Sequence, residues 1–149
     1  MAVLVPTQGS DVTGTITFTQ LDDGQVRVTA DVVGLEPGSE HAWHIHEFGN
    51  LSDPHGKATG GHYNPKGHSH GLPGNADRHA GDFGNLTADD TGRAVKRFEV
   101  DNITIAGPGS AILGRGFIIH AKGDDGGQPT GNAGARIAQG VIGVAQPTE

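Results

Sequence analysis

His41-Ala-Trp-His-Ile-His-Glu-Phe-Gly49 alternates imidazoles with apolar bulk in steps of two. On a strand, residues i and i+2 share a face. His44 and His46 then lie side by side and can chelate one ion, while Trp43 and Ile45 enter the core. His41 has the parity of Trp43 and Ile45, so it is expected to be a structural histidine rather than a ligand.

Outward from this strand the chain keeps a β pattern. Val12 to Thr19 is rich in β-branched residues, and Gln25 to Val33 follows the turn Asp22-Asp-Gly24 with period two. Phe83 to Thr87 and Ala94 to Val100 flank the turn Asp89-Asp-Thr-Gly92. Gly114 to His120 and Gly140 to Ala145 read as the last strands, after a mixed connection from Ile103 to Leu113. About eight short strands predict one all-β domain over residues 1–149, an eight-stranded antiparallel Greek-key barrel or sandwich with two long functional loops.

The composition agrees. The 149 residues include 26 glycines and are only 34% apolar, which suits a loop-rich β domain with one core. There is no cysteine, so a transition metal has only nitrogen and oxygen ligands to use. A net charge of -7 without a basic stripe argues against nucleic acid. No run is long enough for a membrane-spanning helix, and the N-terminus lacks the marks of a signal peptide. Cytoplasmic residence is the default expectation. Asn50, Asn85 and Asn102 head Asn-x-Ser/Thr triplets, which are read as chance.

Residues 49–82 carry no periodic segment, and a structureless loop of that length is expected to be functional or disordered. Its histidines favour function, because metal ligation can supply order that packing does not. His62, His70, His79 and Asp82 offer three imidazoles and a carboxylate, a set that suits tetrahedral zinc. His68 competes with His70 on spacing alone. His55 reads as a loop residue. A lone His120 closes the apolar run Phe117-Ile-Ile-His. The histidines and carboxylate are enough for two adjacent ions, of redox or hydrolytic use.

Seven pieces together carry a family likeness: His44-Ile-His-Glu-Phe-Gly49, Gly61-His-Tyr-Asn-Pro65, His70-Gly-Leu-Pro73, Arg78-His-Ala-Gly-Asp-Phe-Gly-Asn85, His120-Ala-Lys-Gly-Asp-Asp125, Thr130-Gly-Asn-Ala-Gly-Ala-Arg136 and Gly140-Val-Ile-Gly-Val-Ala-Gln146. Over nearly its whole length the chain resembles the Cu/Zn superoxide dismutases. The resemblance implies copper on His44, His46, His62 and His120. It implies zinc on His62, His70, His79 and Asp82, with His62 bridging the two ions, and so prefers His70 to His68. Asp124 resembles the carboxylate that links His44 to His70 outside the ligand sets. Arg136 resembles the active-site arginine, Thr130 a residue of the channel mouth, and Ile118 a neighbour of copper. The implied reaction converts two superoxide anions and two protons to dioxygen and hydrogen peroxide by alternating Cu(II) and Cu(I), with zinc supporting the bridging histidine. Arg136 would attract the anion, and His62 would carry a proton.

The chain also departs from the family. The cysteine pair that ties the long first loop to the barrel is missing, with Gly56 or a neighbour at one position and Gln139 at the other. Zinc, loop hydrogen bonds or subunit contacts must then hold the loop. The second loop is short, with Gly126-Gly-Gln-Pro129 where the acid pair and lysine of other members stand. Lys122 could replace that lysine, but the preferred reading is a solvated surface lysine. A homodimer is expected, with Val5, Phe48, Gly49, Leu113, Ile142 and Val144 in the matching regions. The alternative is a copper-carrying or chaperone relative without dismutase activity, disfavoured by the presence of His120 and Arg136 and the lack of cysteine. A structural zinc module would not need a second ligand set, and a two-zinc hydrolase lacks a substrate-recognition group.

Overall fold

The computed structural model describes residues 1–147. Eight strands form the barrel: β1 Ala2–Pro6, β2 Thr13–Gln20, β3 Val26–Val33, β4 Glu40–His46, β5 Asp82–Thr87, β6 Ala94–Val100, β7 Gly116–His120 and β8 Arg136–Val141. Their order in the sheet is β5-β4-β7-β8-β1-β2-β3-β6, antiparallel throughout. β5 and β6 also approach one another, so the sheet nearly closes as a Greek-key barrel. Among the described residues no helix is long and apolar enough to cross a membrane.

Alternation fills the interior. β3 buries Val26, Val28, Ala30 and Val32 and turns the residues between them outward. Trp43 is fully buried and donates its Nε1 hydrogen to the Phe83 carbonyl at 3.0 Å. Its ring packs edge-on to Phe83 at 5.4 Å and to Phe117 at 6.0 Å. The long first loop contains one short 3-10 turn, Lys57–Thr59.

The last strand lies earlier than Gly140 to Ala145. β8 begins at Arg136, because Gln139 and Ala138 pair with Val5 and Pro6 while Ile118 and Ile119 pair on the other side. Beyond it, Ile142 forms an isolated bridge to Ala2 and backbone hydrogen bonds with Gly114 and Arg115, and Val144 is exposed.

Two β-bulges decide which side chains meet. In the β4–β5 ladder Ala42 faces Asn85, but His44 faces Asp82, so β5 contains one extra residue. Directly opposed residues share a face. A regular ladder would set Phe83 opposite His44; the bulge sets Asp82 there and leaves Phe83 to the core. In the β7–β8 ladder Ile119 faces Ala138, but His120 faces Arg136. The extra residue here moves Arg136 onto the face of His120. Bulges of this kind re-aim side chains beside sites.

Hydrogen bonds hold the first loop without a disulfide. Gln139 Nε2 donates to the Asp53 carbonyl at 3.3 Å, and the Gln8 amide donates to the Pro54 carbonyl at 2.7 Å. Arg136 donates from Nη1 to the Gly56 carbonyl at 2.6 Å and to Thr59 Oγ1 at 2.9 Å, and from Nη2 to the Gly60 carbonyl at 2.7 Å. A side chain at Gly56 would be strained, since its φ is +77°, and tight, since a Cβ would sit 3.3 Å from Arg136 Cδ.

Candidate metal centre

Two groups of buried side chains collect on one outer flank of the barrel. His44, His46, His62 and His120 bring one ligand atom each within 4.8 Å of one another, and so do His62, His70, His79 and Asp82. His62 belongs to both, and its ring centroid lies 3.9 Å from that of His44 and 5.3 Å from that of His70. β4 supplies His44 and His46, β7 supplies His120, β5 supplies Asp82, and the first loop supplies the rest.

In the first group every strand histidine is oriented by one nitrogen. His44 Nε2 donates to Asp124 Oδ2 at 2.9 Å, His46 Nδ1 to the Gly60 carbonyl at 2.9 Å, and His120 Nδ1 to the Gly134 carbonyl at 3.1 Å. The other nitrogens, His44 Nδ1, His46 Nε2 and His120 Nε2, are buried and have no hydrogen-bond partner. An unpaired buried polar atom costs about 1–3 kcal/mol. Three in one cluster are poor economy for a core and fit a cation.

Burial pushes His44 down to about 4, against its hydrogen bond to Asp124. Burial, with His44 nearby, pushes His120 down to about 3. Burial holds His46 well below the ordinary histidine range. These three rings are therefore neutral at neutral pH, the form that ligates metal.

The second group is more polar, because it contains a carboxylate. His62 Nδ1 lies 2.9 Å from Asp82 Oδ1, His70 Nδ1 lies 2.9 Å from Asp82 Oδ2, and His79 Nδ1 lies 3.3 Å from Asp82 Oδ1. Burial disfavours the Asp82 and Asp124 carboxylates, but hydrogen bonds from the imidazoles outweigh it and hold both well below the usual carboxylate range. Burial also opposes charge on His70, yet Asp124 and Asp82 raise it to about 9. A cation entering this group would displace that proton.

Asp124 joins the groups, because its second oxygen accepts His70 Nε2 at 2.8 Å. Asn85 in turn grips Asp124. Its Oδ1 accepts the Asp124 amide at 2.6 Å and its Nδ2 donates to the Asp124 carbonyl at 3.0 Å. The amide of this Asn-x-Thr triplet is thus fully engaged. Gly131 leaves the space Asp124 needs; a Cβ there would lie 2.1 Å from Asp124 Oδ1.

The remaining candidates fall outside the two groups. His41 is buried, with Nε2 2.6 Å from Ser39 Oγ and Nδ1 donating to the His120 carbonyl at 2.7 Å. His68 Nδ1 donates to the Arg78 carbonyl at 3.2 Å, and His55 is exposed. Thr130 is exposed on the second loop, and Lys122 lies along Gly134. Ile118 is buried opposite His44 in the ladder. Arg136 is half-buried, and its charge helps to depress His46 and His120. The grip of Asn85 on Asp124 is not legible in the sequence, because its partner is a backbone, for which sequence carries no signal.

The family profile described as copper/zinc superoxide dismutase matches residues 12–142, and the chain belongs to that family. Among solved structures it is similar to one titled "Crystal Structure Analysis of the clock protein EA4". The two are 41% identical, with a TM-score of 0.87, over 97% of this chain and 92% of that one.

Proposed function

We propose that the chain is a superoxide dismutase that holds copper on His44, His46, His62 and His120 and zinc on His62, His70, His79 and Asp82. The observation that carries this reading is the convergence of three buried, unpartnered imidazole nitrogens beside a ring shared with a three-histidine, one-carboxylate group. Four imidazoles suit a tetragonal copper site, and the second donor set suits zinc. Bound there, copper would supply a one-electron redox centre and zinc a fixed positive charge.

The chain supplies orientation, attraction and a proton. The carbonyls of Gly60 and Gly134 and the Asp124 carboxylate fix the tautomers of His46, His120 and His44. Arg136 offers an anion its charge beside His120, with both terminal nitrogens anchored on the first loop. An acidic protein can still attract an anion locally, because the nearby field matters more than net charge. His62 Nδ1 faces Asp82, which leaves Nε2 as the atom that would hold and release a proton.

Metal analysis after loading with copper and zinc, read beside superoxide consumption, tests the reading. His120→Ala should lose copper and activity and keep zinc. Full loading without superoxide consumption refutes dismutation. It would favour a second reading, a metal-holding relative without turnover, which the clock-protein title of the similar structure makes worth separating. We also propose a homodimer. Phe48, Leu113 and Val144 expose apolar surface at 55%, 42% and 88%.

A further inference from the structure

The second loop is tied to itself at its base. The Asp125 amide donates to the Gly131 carbonyl at 3.1 Å, the Gly131 amide to the Gly127 carbonyl at 2.7 Å, and Asn132 Nδ2 to the Asp125 carboxylate at 3.0 Å. Gln128 stands at the tip of this closed turn. Its Oε1 accepts the His70 amide at 3.1 Å and its Nε2 donates to the His70 carbonyl at 2.8 Å. One amide thus satisfies both backbone groups of one residue on the other loop.

His70 is pinned at every other point as well. Its ring Nε2 donates to Asp124, and the next amide, Gly71, donates to Asp82 Oδ2 at 3.1 Å. Only Nδ1, turned toward Asp82, lacks a hydrogen-bond partner. We infer that Gln128 is a positioning residue for the His70 end of the proposed zinc group, and that through it the short second loop sets how tightly that group holds a divalent cation. Gln128 is itself exposed. Its grip costs the side chain's rotamer freedom but little backbone entropy, because the turn that presents it is already closed. This inference rests on the assignment of His62, His70, His79 and Asp82 to zinc.

The test uses metal-free protein and zinc or cobalt(II) alone, so it is independent of dismutase activity. Gln128→Met keeps the length of the side chain and loses both hydrogen bonds; Gln128→Ala is the second variant. Outer partners of metal ligands are worth roughly 10–100-fold in affinity. The expected result is at least about tenfold weaker zinc binding in chelator competition, with a changed visible spectrum of cobalt(II) at the site. Copper binding at His44, His46, His62 and His120 should be unchanged. Zinc affinity within twofold of the parent in a folded variant overturns the inference, and so does an equal loss at both sites, which would mark general destabilisation. If the parent binds no zinc at His62, His70, His79 and Asp82, the site assignment itself falls.

Discussion

Acidification of the metal-free protein is the sharpest physical test of this centre. His44, His46 and His120 are buried and neutral, and their folded values lie well below the ordinary histidine value near 6.5. A depressed histidine contributes stability above its unfolded value, and that contribution is lost as pH falls through 6.5 toward the folded value, because only the unfolded chain then takes up a proton. From pH 7 to pH 5 this is worth about 2 kcal/mol for each of His44 and His120, and His46 adds to it in the same direction. His70 works in the opposite sense: raised to about 9, it contributes fully below 6.5 and loses that contribution as pH rises through 9, so acidification removes nothing from it. Whole-domain stabilities are about 5–15 kcal/mol, so the metal-free chain should lose a large share of its stability by pH 5. Urea titrations followed by the buried Trp43 measure it. Equal midpoints at pH 7 and pH 5 would show that the three rings are not held neutral and would refute the reasoning.

Three substitutions probe the surroundings. Gly131→Ala introduces a Cβ against Asp124 at a φ of +78° and should weaken zinc binding roughly 10–100-fold, read by chelator competition. Asn85→Ala frees the backbone of Asp124 and should weaken both metal groups, with zinc and copper affinities measured separately; no change at either would deny that the grip matters. Trp43→Ala removes the largest ring of the aromatic cluster and its bond to Phe83, and should cost about 3–5 kcal/mol in urea unfolding while the far strands keep their pairing.

Much of this was legible in the chain itself. Period two in His41 to Phe48 placed His44 and His46 on one face and Trp43 and Ile45 in the core, and all four lie so. The same parity identified His41 as a satisfied interior histidine. Parity says nothing of residues beyond a ladder slip. Asp82 and Arg136 reach their partners only through bulges, and a bulge is set by pairing between distant strands. The start of β8 was misplaced for a related reason: Arg136 to Gln139 draws its order from β1 and β7, not from an apolar run of its own. Gln128 and Asn85 act on main-chain groups, which every residue possesses, so no spacing rule could single them out.

The slipped ladders have a consequence for anyone who would transplant this centre. Copying the histidines onto the strands of another barrel, in perfect register, would bring the imidazoles together yet leave the carboxylate and the guanidinium facing the wrong way. Two single-residue miscounts must travel with the ligands. A one-residue deletion in either strand would erase the geometry while preserving every ligand side chain.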